Sequence, residues 1–221
     1  MSVSDLIAQA FATATQEHLG IHRSWIILSS RWGGRLPQSR LRSTIQNHGR
    51  LDMLLRSMES ENASNLHSFA PGSINELVYL SESWIISTYE TIRIIHERTS
   101  LFPDNTDLNN LKTDFDLLRM PLAKHEIPSD TKLRSPLTMK THKRRGLKRT
   151  VYIYPSYDKA KRESKDWQSR AHIMPSATSV RGSIMWKATD WKTGTSPWIE
   201  RQSLSDRILA FAHDSKPAIS T

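Results

Sequence analysis

Apolar residues in the first half of the chain recur at steps of three and four, the spacing that gathers them on one face of an α-helix. Residues 4–19 carry Leu6, Ile7, Ala10, Phe11, Ala14 and Leu19 behind Ser4, a candidate N-cap. The pattern continues through Trp25, Ile26 and Leu28 to a Gly33-Gly34 break, with Gly20 weakening its middle. A second helix opens at Pro37 and carries a narrow seam of Leu41, Ile45, His48, Leu51, Leu55 and Met58. Pro71-Gly72 closes a polar loop, after which Ser73 caps a third helix bearing Ile74, Leu77, Val78, Ile85, Ile92 and Ile95. Pro103 interrupts the chain again, and Leu108, Leu111, Phe115, Leu118 and Leu122 define a fourth helix. Four helices of about twenty residues with short connections predict an antiparallel four-helix bundle over residues 1–127.

The texture changes after Pro128. Residues 128–149 are rich in Pro, Thr, Lys and Arg without periodicity, which predicts a basic linker. Residues 150–221 then alternate between short strand and helix patterns. VYIY (151–154) and GSIMWKATD (182–190) read as strands, residues 156–168 as a charged surface helix, and Thr193-Gly194 as a turn toward Trp198 and Ile199. Ser203 is placed to cap a last helix through Leu204, Ile208 and Phe211. Two or three short strands bury too little surface to stand alone, so this small α+β extension should pack on the bundle. The expected fold class is mainly α.

Composition narrows the chemistry. Four Val beside 22 Leu and 18 Ile argue against a large parallel sheet. The absence of Cys removes disulfides, thiol catalysis and Cys-ligated zinc together. No apolar run approaches a membrane span, and the opening MSVSD lacks a basic segment followed by an apolar core. A cytoplasmic protein without a membrane partner is the resulting expectation.

Charge changes the picture most. The net charge of +9 is unevenly spread: residues 1–127 hold 12 Lys/Arg against 14 Asp/Glu, and residues 128–221 hold 19 against 8. Residues 132–149 contain eight basic residues and no acid. Lys143, Arg144, Arg145, Lys148 and Arg149 are the densest group and the candidate nucleic-acid contacts, because a polyanion rewards clustered cations through counterion release. The alternative is that the basic stretch meets an acidic protein surface. Tyr152, Tyr154, Tyr157, Trp167, Trp186, Trp191 and Trp198 interleave with further Lys and Arg. They suit either base stacking or the core of a sheet-poor extension.

Most catalytic patterns are too cheap to use. Ser129-x-x-Lys132, Ser156-x-x-Lys159 and Lys192-Thr193-Gly194 match fragments of acyl-serine motifs, but that fold needs more chain between them. No phosphate-binding or dinucleotide glycine loop is present, so no cofactor is expected. His18 and His22 beside Glu17 have zinc-like spacing but no third ligand, and no metal is assigned.

One motif carries a reaction. In DFDLLRMPLAKHE, Arg119 is followed after five residues by His125 at the end of the fourth predicted helix. This resembles the Arg-x(4–6)-His motif of the HEPN superfamily over residues 1–127. That resemblance implies an up-and-down bundle of four or five helices. It also implies a metal-independent endoribonuclease of toxin or defence type, or an inactive binding relative. Motif residues of two protomers commonly meet across a cleft in that family, which implies a homodimer here and an antitoxin or similar protein partner. His125 would transfer the proton and Arg119 would clamp the phosphate. The same spacing joins Arg42 to His48 and Arg207 to His213. Two departures are visible: Met120 follows the arginine where a polar residue is common, and Pro121 sits inside the motif, where it should end one helix or begin another. Arg119 also has a plain structural alternative, pairing with Asp116 at i, i+3. The reading from sequence is an RNA-engaging protein, with RNA favoured over DNA. A non-enzymatic interaction or assembly module with a basic tail is the alternative.

Overall fold

The computed structural model describes residues 1–64, 73–98, 106–124, 138–144, 147–153, 174–188, 190, 193 and 195–213. The first long apolar pattern forms two helices, α1 (Val3–Glu17) and α2 (Leu19–Gly33), that meet at His18. His18 leaves the helical region with φ −119° and ψ 41°, while its N–H still donates to the Ala14 carbonyl at 3.1 Å and its carbonyl accepts from His22 at 2.9 Å. One residue thus ends one helix and starts the next. The break separates His18 from His22, which removes the shared helix face on which a zinc pair depends. Among the described residues no group of three or more metal-capable side chains is gathered. Ser2, two residues before the expected Ser4, caps α1: the Asp5 N–H donates to Ser2 Oγ at 3.2 Å, and the Ser2 N–H donates to Asp5 Oδ2 at 2.8 Å.

Three longer helices follow as the periodicity predicts: α3 (Leu41–Ser64), α4 (Ser73–Glu97) and α5 (Thr106–Lys124). The second predicted helix begins at Leu41, not Pro37, and α5 runs straight through Pro121. Pro121 is buried and cannot donate to the Leu117 carbonyl, yet the apolar face formed by Leu111, Phe115 and Leu118 holds the helix together past it. The described part of 1–127 therefore has five helices where four were expected, because His18 divides the first.

The chain is mainly helical, with small antiparallel sheets in its C-terminal part. The stretch expected to be an aperiodic linker, 128–149, contains β1 (Thr138–Arg144) and the start of β2 (Leu147–Ile153), and this hairpin ends in the strand expected at VYIY. Its basic residues mask the strand alternation that β-branched Thr141, Thr150, Val151 and Ile153 supply. Three short strands, β3 (Ser176–Thr178), β4 (Ile184–Lys187) and β5 (Trp198–Glu200), form a second sheet in that order. β4 falls within the strand expected at GSIMWKATD, whereas β3 was not expected and β5 lies at Trp198 and Ile199, toward which only a turn was read. The helix α6 (Arg201–His213) begins two residues before Ser203, and the Ser183 hydroxyl caps it by accepting from the Gln202 N–H at 3.1 Å. At its far end the Phe211 and Ala212 carbonyls accept from Arg31 Nη1 at 2.8 and 2.9 Å. The helix expected over 156–168 lies outside the described residues.

Helices and the second sheet share one hydrophobic core. Trp25, Leu28, Ile45, Leu55, Trp84, Ile85, Ile92 and Phe115 meet Ile184, Trp186, Ile199, Leu204 and Ile208 in a single cluster. Trp25 packs against α3 at Gly49, where a Cβ would come within 2.5 Å of the indole. Its indole N–H donates to Asp52 Oδ2 at 2.9 Å.

That bond leads into a buried ionic cluster. Arg201, the first residue of α6, is 0% exposed, as is Asp52, and Glu59 is 1% exposed. Arg201 Nη1 donates to Asp52 Oδ1 at 2.5 Å, Nε to Glu59 Oε1 at 2.6 Å, and Nη2 to Glu59 Oε2 at 2.5 Å. Its guanidinium also lies 5.3 Å from the Trp84 ring centre. Arg56 donates to Asp52 Oδ2 at 3.0 Å, Ser205 Oγ at 3.0 Å and Asp206 Oδ1 at 2.6 Å. Ser183 Oγ donates to Glu59 Oε1 at 2.6 Å, and Asn62 Nδ2 to the Gly182 carbonyl at 2.7 Å. Gly182 has φ +76°, and a Cβ there would fall 1.9 Å from the Glu59 carbonyl, so only glycine lets this turn touch α3. Burial would raise the Asp52 carboxyl, but the charges of Arg201 and Arg56 outweigh it and hold the group below its ordinary value.

Removing one partner from such a cluster leaves a buried charge uncompensated. Arg201→Met is therefore expected to lose about 3–5 kcal/mol of stability, read as a lower urea midpoint at unchanged slope. Adding Glu59→Leu should restore part of that loss, since apolar replacement of both partners removes the orphaned charge. A double variant no more stable than Arg201→Met would refute the pairing.

A second buried group sets a pH dependence. His48 Nε2 lies 3.0 Å from Thr91 Oγ1, and burial pushes its imidazole down from 6.5 to about 4. The unfolded chain then binds a proton that the native chain refuses. Stability is complete above pH 6.5 and falls as the pH drops toward about 4. The full loss is about 3 kcal/mol. Thermal melts between pH 7 and 4 should show that slope in the wild type and a flatter one in His48→Gln.

Candidate functional site

The sequence nominated two places, and the structure describes them unequally. Arg119 lies near the end of α5 and turns toward α4. Its guanidinium carbon sits 5.2 Å from the Tyr89 ring centre, Nη2 lies 3.5 Å from Glu90 Oε1, and Nη1 lies 3.4 Å from Met120 Sδ. The side chain is 26% exposed. Its carboxylate is Glu90, not the expected Asp116, because Lys112 Nζ occupies Asp116 Oδ2 at 2.6 Å. Burial, followed by the nearby Asp116 charge, pushes the Tyr89 phenol up to about 12. Arg119 thus lies over a neutral ring at cation–π distance and remains part-exposed. His125, its proposed partner in catalysis, is one position beyond α5 and outside the described residues.

Of the other two pairs with the same spacing, neither meets. His48 is buried against Thr91, away from solvent-exposed Arg42. Arg207 Nη1 pairs with Asp114 Oδ2 at 2.5 Å, whereas His213 Nε2 lies 2.9 Å from Ser24 Oγ.

The basic group falls on the hairpin. Backbone register sets Lys143 opposite Lys148, His142 opposite Arg149, and Arg144 opposite Leu147. Arg145 lies between the strands, outside the described residues. Alternation along a strand gives each pair of opposed residues one face. Met139, Thr141, Lys143, Lys148, Thr150 and Tyr152 therefore share a face, and Lys140, His142, Arg144, Leu147, Arg149 and Val151 share the other. Like charges opposed across a ladder repel unless an anion lies near them. Residues 131–157 contain no acid to serve that purpose.

The aromatic constellation divides. Trp186 is buried in the core, Trp198 is 47% exposed, and Tyr152 is on β2. Tyr154, Tyr157, Trp167 and Trp191 lie outside the described residues. Trp198 borders an open cleft of about 470 Å³ with Val180, Arg181, Glu200, Arg207 and Asp114. Arg181 pairs there with Glu200 and with Asp206 at 2.9 Å, and Arg207 with Asp114. Two guanidinium groups matched by three carboxylates leave no surplus positive charge for a phosphate.

Reading by sequence missed the ionic cluster of Asp52, Arg56, Glu59 and Arg201. A signal was present: Asp52, Arg56 and Glu59 stand at i, i+4 and i+7 on α3, next to its apolar seam. No helix among the described residues is long and apolar enough to cross a membrane. No family model matches this chain, and neither a curated protein nor a solved structure similar to it was found.

Proposed function

We propose that this protein engages nucleic acid through the basic β1–β2 hairpin, with the helical body as its platform. The observation that carries this reading is the register. Two strands with no acid of their own set Lys143 against Lys148 and His142 against Arg149, with Arg144 beside them. A row of phosphates relieves that repulsion and releases its own counterions in doing so. The body offers a contrast: Arg56, Arg93, Arg181, Arg201 and Arg207 all pair with carboxylates.

RNA is the first strand to test, because cleavage by Arg119 and His125, if it operates, consumes a 2′-hydroxyl. In support of that further step, Arg119 is part-exposed and only 3.5 Å from a single carboxylate oxygen, a contact that a phosphate oxygen can replace. A two-stranded ribbon also fits the major groove of B-form DNA. Single-stranded RNA, duplex RNA and duplex DNA of one sequence therefore belong in the same assay.

Affinity of the full chain for RNA should fall steeply with salt. Replacing Lys143, Arg144, Arg145, Lys148 and Arg149 by Gln should flatten the slope by up to about 3.5, at about 0.7 for each phosphate contact on a single strand. A slope unmoved by those changes would transfer the basic stretch to a protein partner. His125→Ala should abolish cutting and spare affinity, since proton transfer matters in the transition state. RNA bound by the wild type and never cut would leave a binding protein without the enzyme.

A further inference from the structure

The two faces of the hairpin carry different chemistry. One holds Lys143 and Lys148 as an opposed pair, Thr141 and Thr150 next along, and Tyr152 opposite Met139 beyond them. The other holds the aliphatic residues of β2, namely Leu147, Val151 and Ile153, mixed with Lys140, His142, Arg144 and Arg149. The Lys143/Lys148 face differs in holding a tyrosine: it has two lysines, two threonines, one methionine and Tyr152.

We infer that the Lys143/Lys148/Tyr152 face is a binding site for unpaired nucleic acid, in which Tyr152 stacks on a base while the two lysines follow the backbone. This rests on the nucleic-acid reading above and goes past it in naming one face and one strand state. Lys148 and Tyr152 are four residues apart on β2, which separates their Cα atoms by about 13 Å. Charge at one end and a ring at the other is the division of labour by which proteins hold single strands without reading sequence. A paired base has both faces covered by its neighbours and offers Tyr152 nothing. A duplex would therefore meet only the charges of this hairpin, and an unpaired strand would meet both charge and ring.

The test measures fluorescence anisotropy of the full chain with a 12-nucleotide RNA, alone and annealed to its complement. Tyr152→Ala should weaken single-strand binding about 5- to 100-fold, with the salt slope and duplex affinity unchanged. Tyr152→Trp keeps a stacking ring and should retain or improve single-strand affinity, which separates stacking from a damaged hairpin. Lys143→Gln with Lys148→Gln should lower the single-strand salt slope by about 1.4, more than Arg144→Gln with Arg149→Gln on the opposite face. Single-strand affinity unchanged by Tyr152→Ala would overturn the inference, as would an equal effect of the two double variants. In either case, salt-dependent binding by the wild type would leave the broader reading standing. Wild-type protein that binds neither probe would overturn both.

Discussion

Arg201 is the residue on which this structure turns. A guanidinium with no exposed surface stands between Asp52 and Glu59 at hydrogen-bond distance, over the face of Trp84. Charges removed from water are tolerated only when they are paired and hydrogen-bonded. Here Trp25, Arg56, Ser183 and Ser205 extend the bonding, drawn from α2, α3, the β3–β4 turn and α6. Such a cluster tolerates few alternative packings, because a shifted helix would strand a charge in the core.

This constraint makes the C-terminal part integral to the body. The cluster joins residues about 150 positions apart in sequence, and the same segment lends Trp186, Ile199, Leu204 and Ile208 to the hydrophobic core. The basic hairpin is inserted in the chain between α5 and β3, two elements that belong to that body. Its own acid-free sequence contrasts with Arg56, Arg201 and Arg207 of the helices, each paired with a carboxylate. The proposed contact with a polyanion rests on that contrast.

Arg119 illustrates how a motif differs from a site. Its spacing to His125 matches an RNA-cleaving pattern, but its structural neighbours are an aromatic ring and one carboxylate on α4. A place over Tyr89 and beside one Glu90 oxygen is already accounted for by packing between α5 and α4.

The sequence by itself determined the helices of the body, because periodicity and end signals are local: Ser73 opens α4, and Leu108 through Leu122 draw α5. It also determined the charge contrast between 1–127 and the rest, which is a property of composition. The break at His18 was legible only as a weakening at Gly20, since nothing about His18 itself forbids a helix. Of the hairpin only VYIY was legible as a strand, because in the rest lysines and arginines stand among the β-branched residues that signal one. Arg201, Asp52 and Glu59 were the least legible. A charged residue reads as solvated until its partner is known, and these partners come from opposite ends of the chain. Only the tertiary structure could bring them together, because the energy that makes their burial tolerable exists only once all of them are in place.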